Sequence, residues 1–189
     1  ALAEAGAGVA VVGRRKALVE ETAREIAKRG RKAFAAGADV SKSAEVKSAV
    51  EKAEEALGPI GVLVNAAGTF NADPTLGLSE EAWRLLIDVN LTGTFIASKI
   101  VGAGMVAREE GSIINVGTFL GDRAQRAARA AYNASKAGVV AFSRALSVEW
   151  GQHGVRVNCI SPGAHRTPMT APALSNPEAE KWLKGKTVL

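Results

Sequence analysis

Tyr132 and Lys136 stand four residues apart in a stretch, Ala131 to Gln152, that reads as a helix, so both side chains leave the same face one turn apart. A free phenol titrates near about 10 and is a poor base at neutral pH, but an ammonium beside it favours the phenolate. The oxygen then becomes a usable proton donor and acceptor. Taken alone, the pair is equally an ordinary helix face with a half-buried tyrosine and a solvated lysine. Two further polar residues stand near element ends or kinks. Thr118 follows the apolar run Ser112 to Val116, where its hydroxyl can make a local turn bond. Asn90 lies inside a long helical region, where it can bond the backbone at a kink.

The elements that must position these residues alternate in type. Ala1 to Ala5 reads as the end of a helix closed by Gly6. Val9 to Val12, Lys32 to Ala36, Gly61 to Asn65, Ser112 to Val116 and Val155 to Ile160 read as strands. Between them, helices are expected over Lys16 to Arg29, Ser43 to Leu57 with Ser43 as N-cap, Ser79 to roughly Arg108, and Ala131 to Gln152. The tail after Ser161-Pro162-Gly163 is loosely patterned. Short apolar strands alternating with amphipathic helices imply right-handed βαβ units. The expected fold is α/β, a doubly wound, Rossmann-like parallel sheet covered on both faces, forming a single domain over residues 1–189.

Ligands bind such sheets outside the carboxyl ends of the strands. There the chain carries Gly13-Arg14-Arg15, Asp39-Val40, Asn65-Ala66-Ala67-Gly68, Asn115-Val116-Gly117-Thr118 and Ser161-Pro162-Gly163. The helical regions add Asn90-Leu91-Thr92-Gly93 and Tyr132-Asn133-Ala134-Ser135-Lys136. In content and order this set resembles the short-chain dehydrogenase/reductase family over essentially the whole chain. The resemblance implies hydride transfer between a nicotinamide and a carbonyl or alcohol, with Tyr132 as general acid and base. Lys136 would also bond the nicotinamide ribose, Thr118 would polarise the substrate carbonyl and Asn90 would hold a water in the proton relay. It further implies that Asp39 and Val40 flank adenine and that Asn65, Ala66, Ala67 and Gly68 let the backbone approach the cofactor. Pro162, Gly163 and Thr167 would border the nicotinamide. Thr118 stands where the family usually has serine, one residue farther from the tyrosine than its commonest spacing.

Relatives that prefer NAD place an acid after the second strand to bind the adenosine ribose. Here Arg14 and Arg15 stand there instead, and a guanidinium offers bidentate, charge-assisted bonds to a 2′-phosphate. NADP is therefore the expected cofactor, with NAD as the alternative and Arg14 as the preferred ligand; a solvated basic helix start is the other reading of the pair. The glycine-rich phosphate loop and its strand are absent from the start of the sequence, and Gly6 and Gly8 lack the spacing to replace them. The last strand of the family is absent too, so an excerpt of a longer protein is expected.

Arg123, Arg126 and Arg129 recur every three residues before Tyr132. They are either solvated charges or a surface for an acidic substrate or carrier protein, which keeps a 3-oxoacyl-carrier reductase among the readings. A non-catalytic scaffold of the same fold is another. The net charge of +5 is scattered rather than blocked, and nucleic acid is not expected as a partner. No run of eighteen or more apolar residues predicts a membrane span. Cys159 reads as a buried structural thiol, in keeping with a cytoplasmic location. His165 is read as structural or exposed, and no metal site is assigned. By family likeness, a homodimer or homotetramer is expected.

Overall fold

The computed structural model describes residues 1–119, 129–163, 165, 167, 168, 170, 171 and 175–185. In chain order it contains β1 (Val9–Gly13), α1 (Lys16–Lys28), β2 (Ala33–Gly37), α2 (Ser43–Leu57), β3 (Val62–Asn65), α3 (Glu80–Ile87), α4 (Gly93–Ala107), β4 (Gly111–Val116), α5 (Ala130–Gly151), β5 (Val155–Ile160) and α6 (Pro177–Lys184). A 3-10 turn at Thr75–Gly77 precedes α3, and a π turn at Asp88–Thr92 joins α3 to α4.

All strand pairing among the described residues is parallel. β1 pairs with β2 from Val9↔Ala33 to Gly13↔Gly37, and β3, β4 and β5 form a second block with Asn65↔Asn115 and Asn115↔Cys159 in register. No described strand joins the blocks. A doubly wound order of 3-2-1-4-5-6 leaves such a pair and such a triplet when its first strand is lacking, as the sequence implied. Helix α1 lies on β1 and β2, α2 packs on the same two strands and on α4, and α4 and α5 form a layer over β3, β4 and β5.

The core sits under that layer. Val101 and Met105 of α4, Ile113 of β4, Leu146 of α5, and Val155 and Val157 of β5 form one buried cluster; Val46, Ile96 and Ala97 link α2 to α4. Each such aliphatic side chain, fully buried, contributes about 1.5–3 kcal/mol relative to exposure. The turns that feed β4 and β5 touch at Gly154. Its φ is +69°, and a Cβ there would lie 2.2 Å from the Glu109 carbonyl oxygen, so only glycine closes this corner.

Four expectations need correction. Ser43 is the first helical residue, and Lys42 holds the N-cap position with no side-chain bond; at α3, Ser79 does cap, its Oγ accepting the Ala82 N–H at 3.1 Å. The long helix is interrupted by the π turn, where one extra residue widens the turn without disturbing the apolar pattern. The tail forms α6, an acid-led amphipathic turn pair that its short length hid. Val12 of β1 and Val62 and Val64 of β3 are exposed. Cys159 is half-buried rather than buried, although it shares the inward face of β5 with Val155 and Val157. The continuous stretch Glu80–Ala107 is long and apolar enough to cross a membrane by length and composition, and half of its apolar window is buried inside the protein.

Candidate active site

The carboxyl end of β4 and the first turns of α5 bring the central residues together. Thr118 lies two residues beyond β4 and is buried; Tyr132 is the third residue of α5, and Lys136 follows one turn later, also buried. The Thr118 hydroxyl lies beside the Tyr132 phenol, where it favours the phenolate. Burial pushes the phenol above its ordinary value, opposed by the Thr118 hydroxyl and by the Arg129 guanidinium. The amino end of α5 adds the positive pole of the helix, which also favours phenolate.

Lys136 Nζ donates to the Val116 carbonyl oxygen at 2.7 Å, anchoring α5 to the end of β4. Burial pushes Lys136 below its usual value. An ammonium has three donors, so the bond to Val116 leaves it able to make others.

Asn90 stands in the π turn and is fully buried. Its Oδ1 accepts the Thr69 N–H at 2.7 Å, and its Nδ2 donates to the Thr69 carbonyl at 3.0 Å and to Ser135 Oγ at 3.0 Å. Ser135 Oγ in turn donates to the Tyr132 carbonyl at 2.8 Å. Thr94 Oγ1 donates to the Asn90 carbonyl at 2.8 Å, satisfying an acceptor whose regular helical partner the π turn displaces. One asparagine therefore ties the loop after β3 to the helix that carries Tyr132. Both amide hydrogens are spent on protein.

A buried ladder lies below. Asn65 Nδ2 donates to Ser98 Oγ at 3.0 Å and to Asn115 Oδ1 at 2.8 Å, Asn115 Nδ2 to Ser143 Oγ at 2.8 Å, and Ser143 Oγ to the Val139 carbonyl at 2.7 Å. Pairing every polar group in this chain across β3, β4, α4 and α5 fixes their register. The Asn65 side chain thus points inward, while Ala66 and Ala67 are exposed beyond it. Gly68 abuts the cluster: a Cβ there would meet Asn90 Oδ1 at 3.3 Å and Lys136 Nζ at 3.6 Å.

Arg14, Asp39 and Val40 form a second group at the ends of β1 and β2. The Asp39 carboxylate accepts the Ser41 N–H at 3.0 Å and the Ser41 hydroxyl at 2.8 Å; these bonds, with the charges of Arg14 and Lys42, hold it below its ordinary value. Arg14 is exposed and acts on Asp39, joining the two groups that the sequence assigned to the adenosine end. Val40 packs against Gly93 at the start of α4. Pro162 and Gly163 follow β5, with His165 Nδ1 2.9 Å from the Gly163 carbonyl; the Thr167 hydroxyl is 3.1 Å from that of Thr170. Arg123 and Arg126 lie outside the described residues. No group of three or more metal-ligating side chains occurs among the described residues.

Sequence reasoning missed Phe70 and Ser135. The Phe70 ring meets Tyr132 edge-on, centroids 5.0 Å apart at 77°, and the Arg129 guanidinium carbon lies over the Phe70 ring at 5.1 Å. Nothing in the local pattern around Phe70 foretells this. Ser135 was signalled only by its place between Tyr132 and Lys136.

A profile of the short chain dehydrogenase family matches residues 1–178. Galactitol 2-dehydrogenase (L-tagatose-forming) of Cereibacter sphaeroides is 38% identical over 187 residues, covering 97% of this chain and 72% of that protein. A protein of Xanthobacter autotrophicus named inactive 2-(S)-hydroxypropyl-CoM dehydrogenase 2 is 40% identical over 163 residues, 86% of this chain and 69% of its own. Among the matched curated relatives, the chain spans 57% of the length of oxidoreductase UcpA of Salmonella typhimurium. The crystal structure of a gluconate 5-dehydrogenase from Burkholderia cenocepacia in complex with NADP and tartrate superposes with a TM-score of 0.92 at 30% identity, over 98% of this chain and 72% of that one.

Proposed function

Because this chain belongs to the short-chain dehydrogenase family, we propose that the whole protein is an NADP(H)-dependent oxidoreductase interconverting a secondary alcohol and a ketone, with Tyr132 as general acid and base. The observation that carries this reading is the placement of the buried Thr118 hydroxyl beside the Tyr132 phenol at the carboxyl end of the parallel strands. Tyr132 gives its proton to the carbonyl oxygen in reduction and takes it back in oxidation, while Thr118 donates to the same oxygen. Lys136 holds α5 against β4 and keeps donors for the nicotinamide ribose. Asn90 positions Tyr132 through Ser135 and holds the loop that carries Gly68.

When bound, the dinucleotide supplies or accepts the hydride. The residues present fit such a group. Gly68 leaves a hollow beside Asn90 and Lys136 that any Cβ would fill, and Arg14 stands next to Asp39 where a 2′-phosphate needs a guanidinium. The relative from Burkholderia cenocepacia, crystallised with NADP, supports the preference. Pro162, Gly163 and Thr167 would border the nicotinamide. A cytoplasmic setting agrees with the single half-buried thiol, Cys159. Assembly into a homodimer or homotetramer agrees with exposed Phe95 and Val148 on α4 and α5.

The full-length protein is expected to oxidise NADPH faster than NADH in the presence of ketones. Absence of oxidation of either across a broad ketone panel would refute the reading. A non-catalytic binding role is the second reading, favoured by the relative named inactive; any tyrosine-dependent turnover removes it.

A further inference from the structure

We propose that Phe70 is a positioning residue for proton transfer at Tyr132: its ring, seated edge-on to the phenol ring, holds that ring's orientation and keeps water from it. This rests on the oxidoreductase reading and adds a residue to its machinery.

Three observations converge. First, the contact is direct. The Phe70 and Tyr132 centroids lie 5.0 Å apart with their planes at 77°, an arrangement in which one ring limits the swing of the other. Second, core packing does not account for the ring. Phe70 belongs to neither buried cluster of the core, and it stands beyond the end of β3 in a loop whose Ala66 and Ala67 are exposed. Third, both rings are tied to one anchor. Fully buried Asn90 grips Thr69, the neighbour of Phe70, at its N–H and carbonyl, and through Ser135 it reaches the Tyr132 carbonyl.

The effect of the apolar cover has a sign. Burial is the largest influence on the phenol and raises it; the Thr118 hydroxyl, from the segment after β4, and the Arg129 guanidinium, at the start of α5, oppose it. Lys136, one turn along α5, bonds the Val116 carbonyl. The loop after β3 brings the uncharged ring of Phe70. Removing that ring admits water, which favours phenolate, so the rising limb of alcohol oxidation moves to lower pH. Loss of the Thr118 hydroxyl would move it the other way.

The test measures kcat and KM against pH in both directions for full-length wild type, Phe70→Ala, Phe70→Leu and Phe70→Tyr. Phe70→Ala should lower kcat by about 10-fold or more, leave NADPH binding near wild type and move the oxidation limb to lower pH. Phe70→Tyr, which keeps the ring, should restore both. Phe70→Leu, which keeps apolar cover without the ring edge, should restore the limb but not kcat. The Arg129 guanidinium carbon lies 5.1 Å from the Phe70 centroid, so the limb is read again in an Arg129→Gln background, where the same downward shift should remain. An unmoved limb in Phe70→Ala marks a merely structural role and overturns the proposal, as does a kcat within about threefold of wild type; either leaves the oxidoreductase reading standing. Where the alanine variant does not fold, Phe70→Leu decides, and a kcat within about threefold of wild type overturns the proposal. Turnover of no ketone or alcohol by the wild type overturns both.

Discussion

Replacing Thr118 by valine keeps the branched shape and removes one hydroxyl. The site is 7% exposed, so water does not replace the lost partner. Tyr132 then loses the larger of the two effects that hold its phenol down, while the burial that raises it remains. The phenolate forms at higher pH, and the rising limb of alcohol oxidation, which needs the deprotonated oxygen, moves upward with it. A hydrogen bond to a charged group is worth about 1.5–3 kcal/mol. At about 1.4 kcal/mol per tenfold, oxidation below the shifted limb should slow by roughly 10- to 100-fold. If Thr118 also donates to the substrate oxygen, reduction falls as well, toward the order of 10²–10³ seen when an oxyanion donor is removed. The assay is kcat/KM against pH in both directions for wild type, Thr118→Val and Thr118→Ser. Serine restores the hydroxyl and should restore both the limb and the rate. An unshifted limb in the valine variant, with rates within about threefold of wild type, would refute the reasoning.

Two further outcomes follow from the same geometry. Asn90→Ala leaves the Thr69 backbone groups and Ser135 without their buried partner, so equilibrium denaturation should show a loss of about 2–4 kcal/mol, and a loss under about 0.5 kcal/mol would contradict the clamp. Arg14→Glu places a carboxylate where a 2′-phosphate is expected, and the NADP-to-NAD ratio of kcat/KM should fall by about 100-fold or more; an unchanged ratio would remove Arg14 from the cofactor site.

Much of this was legible in the residues. Helix α2 runs from Ser43 to Leu57 as its spacing and Gly58-Pro59 stop dictate, and β5 occupies the apolar run from Val155 to Ile160. What escaped is tertiary in origin. The π turn adds one residue to a helix whose apolar pattern continues on both sides, so periodicity does not mark it. The Asn65–Asn115–Ser143 ladder joins polar residues that look isolated in their own segments and meet only because β3 and β4 pair in that register. Phe70 and Arg129 come together only through the Asn90 clamp and the start of α5. The bond from the Lys136 ammonium to the Val116 carbonyl joins α5 to the end of β4, a contact that only coordinates reveal.

The most direct test of the account is Tyr132→Phe in the full-length protein, with NADPH binding followed by fluorescence, thermal unfolding by circular dichroism, and turnover on the best ketone. Binding and unfolding should stay close to wild type while turnover drops by about 10²–10⁴-fold, the usual contribution of a positioned acid and base. A phenylalanine variant that binds NADPH normally and still turns over within about threefold of wild type would contradict the claim that the Tyr132 oxygen carries the proton.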